Sequence, residues 1–278
     1  MKLQHILVAT DPSEAGRAAV HAGLIMANAA QARLTVMTAA LVDRAATVAA
    51  GGGWSEGIDS LEELAAHVRS EAGTPTVPAG VELDLVTGLP GIEVPRYAEQ
   101  HGADLVVLGR KPRTAAARLV MGDTADAVAR RSRVPCLMVP GRTEPPRRVL
   151  VALDGTLRGE VVLETAADFV RQAGGELGVV IVERSHPGEP DNLARQLPAA
   201  RSERVRELVA AAANRLGARI EVDVRRGDPV EQILAALDGW DMLAIGYHRG
   251  GPAGIIEGGS IARQLVHAAP GSLLTVPL

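Results

Sequence analysis

Two stretches decide the fold: His5-Ile6-Leu7-Val8-Ala9-Thr10-Asp11, and Arg148-Val149-Leu150-Val151-Ala152-Leu153-Asp154, which stands 143 residues further on. Each is a short apolar run that ends on an aspartate. Working outward from them, Gly88-Leu89-Pro90 returns as Gly227-Asp228-Pro229 at an offset of 139. Ala103-Asp104-Leu105-Val106-Val107-Leu108-Gly109 returns as Trp240-Asp241-Met242-Leu243-Ala244-Ile245-Gly246 at an offset of 137. Gly122 answers to Gly259, and Val139-Pro140 to Val276-Pro277, again at 137. Correspondences in one order with a slowly drifting offset are the mark of an internal repeat. Pro140-Gly141-Arg142-Thr143-Glu144-Pro145-Pro146 reads as the linker, so two domains are expected, over 1–141 and 147–278.

Within the first copy, strands are expected at 4–10, 33–38, 80–87, 104–109 and 135–140. Helices are expected at 13–31, 57–72, 90–101 and 122–132. The second copy repeats the strands near 147–153, 176–182, 219–226, 241–246 and 272–277. Runs such as Leu105-Val106-Val107-Leu108 are apolar on both faces, as strands buried inside a parallel sheet must be. The alternation therefore predicts an α/β fold of two tandem, doubly wound, parallel five-stranded sheets with flanking helices. Ligands of such sheets sit outside the carboxyl ends of the strands, where the strand order reverses.

Composition narrows the function. The 278 residues are 47% hydrophobic and 22% charged, with a formal net charge of −4. Two Trp, two Tyr and one Phe are too few for stacking platforms on single-stranded nucleic acid. The acidic balance excludes a general nucleic-acid or membrane-surface role. Cys136 is the only cysteine, which excludes an intrachain disulfide and fits a reducing compartment. It reads as a small buried hydrophobe in the run Val134-Pro135-Cys136-Leu137. The apolar run at the start is too short for a signal peptide, and a cytoplasmic location is expected.

The strand ends carry the candidate chemistry. Asp11 and Asp154 face the crevice side, where a carboxylate accepts hydrogen bonds from a sugar hydroxyl or an exocyclic amine; helix capping is the other reading of this turn. Gly109-Arg110-Lys111-Pro112 precedes Gly122-Asp123-Thr124 in the first copy. Gly246-Tyr247-His248-Arg249-Gly250-Gly251 precedes Gly259-Ser260-Ile261 in the second. Glycine allows close backbone approach, and a Gly-Ser pair opening a helix offers N–H groups, a hydroxyl and the positive end of the dipole to an anion. Arg110, Lys111, His248 and Arg249 add cationic or neutral donors. His67, His101 and His267 fall on helical stretches and are expected at the surface. No Walker A sequence, Gly-x-Ser-x-Gly elbow or paired-carboxylate constellation is present, and no catalytic base is nominated.

This combination resembles the universal stress protein family, over nearly the whole chain and twice. The resemblance implies a fold like that of the adenine nucleotide alpha hydrolases, and ATP, with Mg2+ as an option, as the bound group. Nucleotide-binding members carry Gly-x2-Gly-x9-Gly-Ser/Thr after strand 4 and the strand-1 aspartate. Gly246, Gly259, Ser260 and Asp154 match, with Arg249 on the middle glycine; Ile261 follows in the same turn. The resemblance also implies that Val182 lines the adenine pocket, where the first copy has Ala39.

In the first copy Asp11, Gly109 and Gly122 match, but Pro112 removes an N–H donor and Asp123 opposes a phosphate. The expectation is an adenine-nucleotide-binding regulator of stress adaptation, with its site in the C-terminal half. A nucleotide-free interaction scaffold and a slow ATPase remain the alternatives. Partners implied are the nucleotide and an internal pseudo-dimer through strands 135–140 and 272–277, with further homodimerisation open.

Overall fold

The computed structural model describes residues 2–40, 57–110, 124–141, 144, 146–154, 156, 158–183, 191–217, 219–247 and 259–278. Contacts divide the chain into two compact units, over Lys2–Pro145 and Pro146–Val276. In the first unit the order is β1 (His5–Ala9), α1 (Glu14–Ala30), β2 (Arg33–Ala40), α2 (Leu61–Ala72), β3 (Val81–Thr87), α3 (Pro90–Gln100), β4 (Leu105–Gly109), α4 (Thr124–Arg131) and β5 (Cys136–Val139). In the second it is β6 (Arg148–Leu153), α5 (Gly159–Ala173), β7 (Glu176–Glu183), α6 (Asp191–Leu216), β8 (Glu221–Arg226), α7 (Pro229–Ala236), β9 (Met242–Tyr247), α8 (Gly259–Ala268) and β10 (Ser272–Pro277).

Both units contain a five-stranded parallel sheet, as the repeat implied. The first unit has strand order β3-β2-β1-β4-β5 and the second β8-β7-β6-β9-β10. Thus β1 pairs in parallel with both β2 and β4, and β6 with both β7 and β9. Chain order reverses at the β1/β4 and β6/β9 boundaries, which places one crevice at the carboxyl ends of each pair.

The core follows from burial on both sheet faces. Ile6, Leu7, Val8, Leu105, Val106 and Val107 have no exposed surface, and Val149, Val151 and Ala244 are equally enclosed. Helix α1 comes so close to β1 that a Cβ on Gly23 would meet Val8 Cγ2 at 2.2 Å. Cys136 is buried in β5. Helix α2 begins at Leu61 rather than near 57, because Ser60 is its cap: the Ser60 side chain accepts the Glu63 N–H at 3.2 Å. The outer strand β3 is half-buried along most of its length, as an outermost strand of its sheet should be.

Asp104 and its counterpart Asp241 lie at the opposite end of the sheets from the crevices. Asp104 Oδ2 accepts the N–H groups of Gln4 and His5 at 2.8 and 2.9 Å. Asp241 Oδ2 accepts those of Arg147 and Arg148, both at 2.9 Å. The repeated aspartate thus ties the start of each central strand to its neighbour. Beside it in the second unit, the Trp240 ring lies against Gly178, with the Arg148 guanidinium 5.2 Å from the ring centre.

Candidate functional site at the strand ends

In the first unit, β1 runs out into Thr10 and Asp11, and Ser13 caps α1. The Asp11 carboxylate accepts the Ser13 N–H at 3.1 Å and also the Ser13 hydroxyl, while Ser13 Oγ accepts the Gly16 N–H at 3.2 Å. Asp11 is exposed and is not itself the cap; it holds the residue that is. Two glycines let α1 enter this corner. A Cβ on Gly16 would stand 2.2 Å from the Asp11 carbonyl and 2.5 Å from Asp11 Oδ1. A Cβ on Gly109, at the end of β4, would stand 2.1 Å from the Ala15 carbonyl. The close approach that Gly109 permits is therefore that of helix α1.

Arg110 follows directly, with its N–H donating to the Val139 carbonyl at 2.8 Å and only 3% of its surface exposed. It is enclosed in the fold rather than standing on an open basic loop. Lys111, Pro112, Gly122 and Asp123 lie outside the described residues.

In the second unit, Asp154 is exposed at the end of β6, and its Oδ1 accepts the Thr156 N–H at 2.9 Å. This is the bond that Asp11 makes to Ser13, reproduced in the second copy. The register Leu153↔Ile181 puts Asp154 beside Val182, a half-buried residue of β7 paired with Arg225 of β8. The register Ala152↔Ile245 puts Gly246 beside Leu153. Asp154, Val182 and Gly246 therefore stand at the carboxyl ends of three adjacent strands. A Cβ on Gly246 would meet Leu278 Cδ1 at 2.5 Å and Val162 Cγ2 at 3.2 Å, so side chains border this strand end where a helix backbone does in the first unit. Gly259 and Ser260 open the first turn of α8, in which Ile261 is half-buried. His248 and Arg249 lie outside the described residues.

Two of the three histidines expected at the surface, His67 and His267, are half-buried instead. His101 is exposed, stacked on Tyr97 with ring centres 3.8 Å apart, and His267 is half-buried. His67, expected on the surface, is half-buried, and its Nε2 lies 3.1 Å from the Thr10 hydroxyl. Burial lowers its pKa and Arg17 lowers it further, while Glu71 and Asp11 raise it. A side chain 57 positions from its partner leaves no local mark; only the tertiary packing of α2, which lies on α1 and β3, brings it to Thr10.

Away from the crevices, His5 is buried with Nε2 2.8 Å from Thr35 Oγ1 and Nδ1 2.9 Å from the Arg33 guanidinium. Its pKa is lowered, first by burial and then by Arg33. Among the described residues no helix is long and apolar enough to cross a membrane.

The comparisons agree with this architecture. The sequence profile of the Universal stress protein family matches residues 2–140 and again 146–277. A universal stress protein of Methanocaldococcus jannaschii is 24% identical over 136 residues, 48% of this chain and 80% of that protein. The crystal structure of a universal stress protein from Archaeoglobus fulgidus covers 100% of this chain and 99% of its own, with 18% identity and a TM-score of 0.74. A functionally unknown protein from Pseudomonas aeruginosa, also 18% identical, covers 99% of this chain and 92% of its own with a TM-score of 0.67. Matched along almost its entire length in two consecutive copies, the chain belongs to the universal stress protein family as a tandem member.

Proposed function

We propose that the protein is a cytoplasmic regulator of stress adaptation that binds an adenine nucleotide, ATP with or without Mg2+, in the crevice of its second half. The observation that carries this reading is the line of Asp154, Val182 and Gly246 across the carboxyl ends of β6, β7 and β9, with the helix α8 opening on Gly259 and Ser260. The exposed Asp154 carboxylate keeps acceptor capacity beyond its bond to Thr156 and suits a ribose hydroxyl or the adenine amine. Val182 gives an aliphatic wall for the base. Gly259, Ser260 and Ile261 present the N–H groups of a first helical turn to phosphate oxygens, with His248 and Arg249 as additional donors.

The first half has Asp11, Gly109 and Gly122 in the matching places, but its crevice is the poorer one. The Ala15 backbone occupies the space beside Gly109, and Pro112 and Asp123 depart from what a phosphate requires.

Calorimetry on the full chain tests the reading. ATP should release heat with the wild type, and Gly259→Asp, which sets a carboxylate in the first turn of α8, should abolish it. An absence of heat from the wild type, or an unchanged isotherm for Gly259→Asp, favours a nucleotide-free scaffold instead.

A further inference from the structure

A polar relay in the first half runs from α2 into the end of β1, and the second half replaces it with apolar residues. The Thr10 hydroxyl lies 3.2 Å from the Asp11 carbonyl and 3.1 Å from His67 Nε2. A carbonyl only accepts, so the single Thr10 proton goes to Asp11 and Thr10 Oγ1 accepts from His67 Nε2–H. In that tautomer the next proton must go to Nδ1. Asp11 is thus gripped twice: through its carboxylate by Ser13 at the head of α1, and through its carbonyl by Thr10 and, behind it, α2.

The repeat shows what is special here. Leu153 stands where Thr10 stands. The buried Leu64 and Val68 of α2 correspond to the buried Val205 and Val209 of α6, an offset of 141 that puts Leu208 at the place of His67 and Ala212 at that of Glu71. Thr10, His67 and Glu71 are therefore all exchanged for apolar side chains.

The charges that face His67 are Arg17 from α1, Glu71 from its own helix and Asp11 from the turn after β1. Strand β3, which also packs on α2, carries Glu82 and Asp84, and these act on His5 and Tyr97 instead. Glu71 is itself buried, so the imidazole sits among charges at the inner edge of the crevice.

We propose that His67 is a positioning residue of the first crevice, which holds Asp11 through Thr10 and, when a proton is added at Nδ1 and stays there, tightens the chain of hydrogen bonds from Nε2–H through the Thr10 hydroxyl to the Asp11 carbonyl. The first half thereby carries a proton-responsive element that the second half replaces with the apolar Leu153, Leu208 and Ala212. Burial and Arg17 keep the imidazole neutral near pH 7, and acidification charges it. The inference makes no use of a bound nucleotide, so its failure and that of the nucleotide reading are separate events.

The test is an NMR titration of the ligand-free full chain between about pH 5 and 8, the range in which histidine titrates and an ordinary carboxylate does not. The His67 ring and the amides of Thr10, Asp11 and Ser13 should shift together, at one midpoint below the ordinary 6.5. In His67→Gln those amide shifts should vanish. In Thr10→Val the ring should still titrate while Asp11 and Ser13 stop following it, which a purely structural role would not produce. This second variant preserves volume and serves where His67→Gln does not fold. Amides that stay still while the wild-type ring titrates, or that follow it unchanged in Thr10→Val, overturn the proposal.

Discussion

The carbonyl of Ala15 lies against the backbone of Gly109, so that a Cβ at position 109 would approach it to 2.1 Å. This contact joins the first turn of α1 to the end of β4, across the point where the sheet reverses. Gly109→Ala forces one of two backbones to move, and overpacking of this kind costs about 2 kcal/mol. In the second unit a Cβ on Gly246 meets the far end of the Leu278 side chain, which can rotate away, and Gly246→Ala should cost less. Hydrogen exchange resolved by peptide should show faster exchange over residues 5–9 and 105–109 in Gly109→Ala, and a smaller effect around 242–247 in Gly246→Ala.

The paired aspartates at the opposite sheet ends invite a comparison. Asp104→Ala strips acceptors from the Gln4 and His5 N–H groups, and Asp241→Ala from those of Arg147 and Arg148. The His5 bond is partly buried, whereas both Asp241 bonds are exposed and water can replace them. Losing an acceptor costs about 1–3 kcal/mol when the donor is left dry and much less when it is wetted. Urea unfolding should rank Asp104→Ala as the more damaging substitution.

Stability should fall on acidification, because His5 and His67 both have folded pKa values below the ordinary 6.5. A base depressed in the folded state binds fewer protons there than in the unfolded chain. Its contribution is complete above about pH 6.5 and is lost as pH falls through the folded value. Tm should therefore decline below pH 6.5, and the slope should shrink in His67→Gln and again in the double variant with His5→Gln. A slope unchanged by both substitutions would assign the effect to other groups.

Tyr97 offers an alkaline counterpart. Burial, then a side-chain hydrogen bond and the charge of Asp84, push its hydroxyl up to about 12. The chain has one other tyrosine, Tyr247, so a Tyr247→Phe variant isolates the signal. Absorbance titration of that variant should show phenolate appearing well above the ordinary value of about 10. Asp84→Asn should bring it back toward that value.

The sequence by itself determined the repeat, the strand and helix order and the strand ends where a ligand would be sought. These depend on short-range quantities: two-sided apolar runs such as Leu105–Leu108, turn residues between them, and an offset that any reader can count. The aspartates were visible as candidates in the same way, and the structure puts Asp11 and Asp154 in the same turn geometry in both copies. Only the tertiary structure decided what Gly109 makes room for, which is the backbone of α1 and not an open crevice, and where Arg110 goes, which is inward. It alone brought His67 to Thr10 and gave the Asp104 carboxylate its two N–H partners nearly a hundred positions away. The physical reason is the same in each case. Periodicity records which face of an element is buried, but the distance at which a helix settles on a sheet is set by packing of the whole unit, and that distance decides which polar atoms meet.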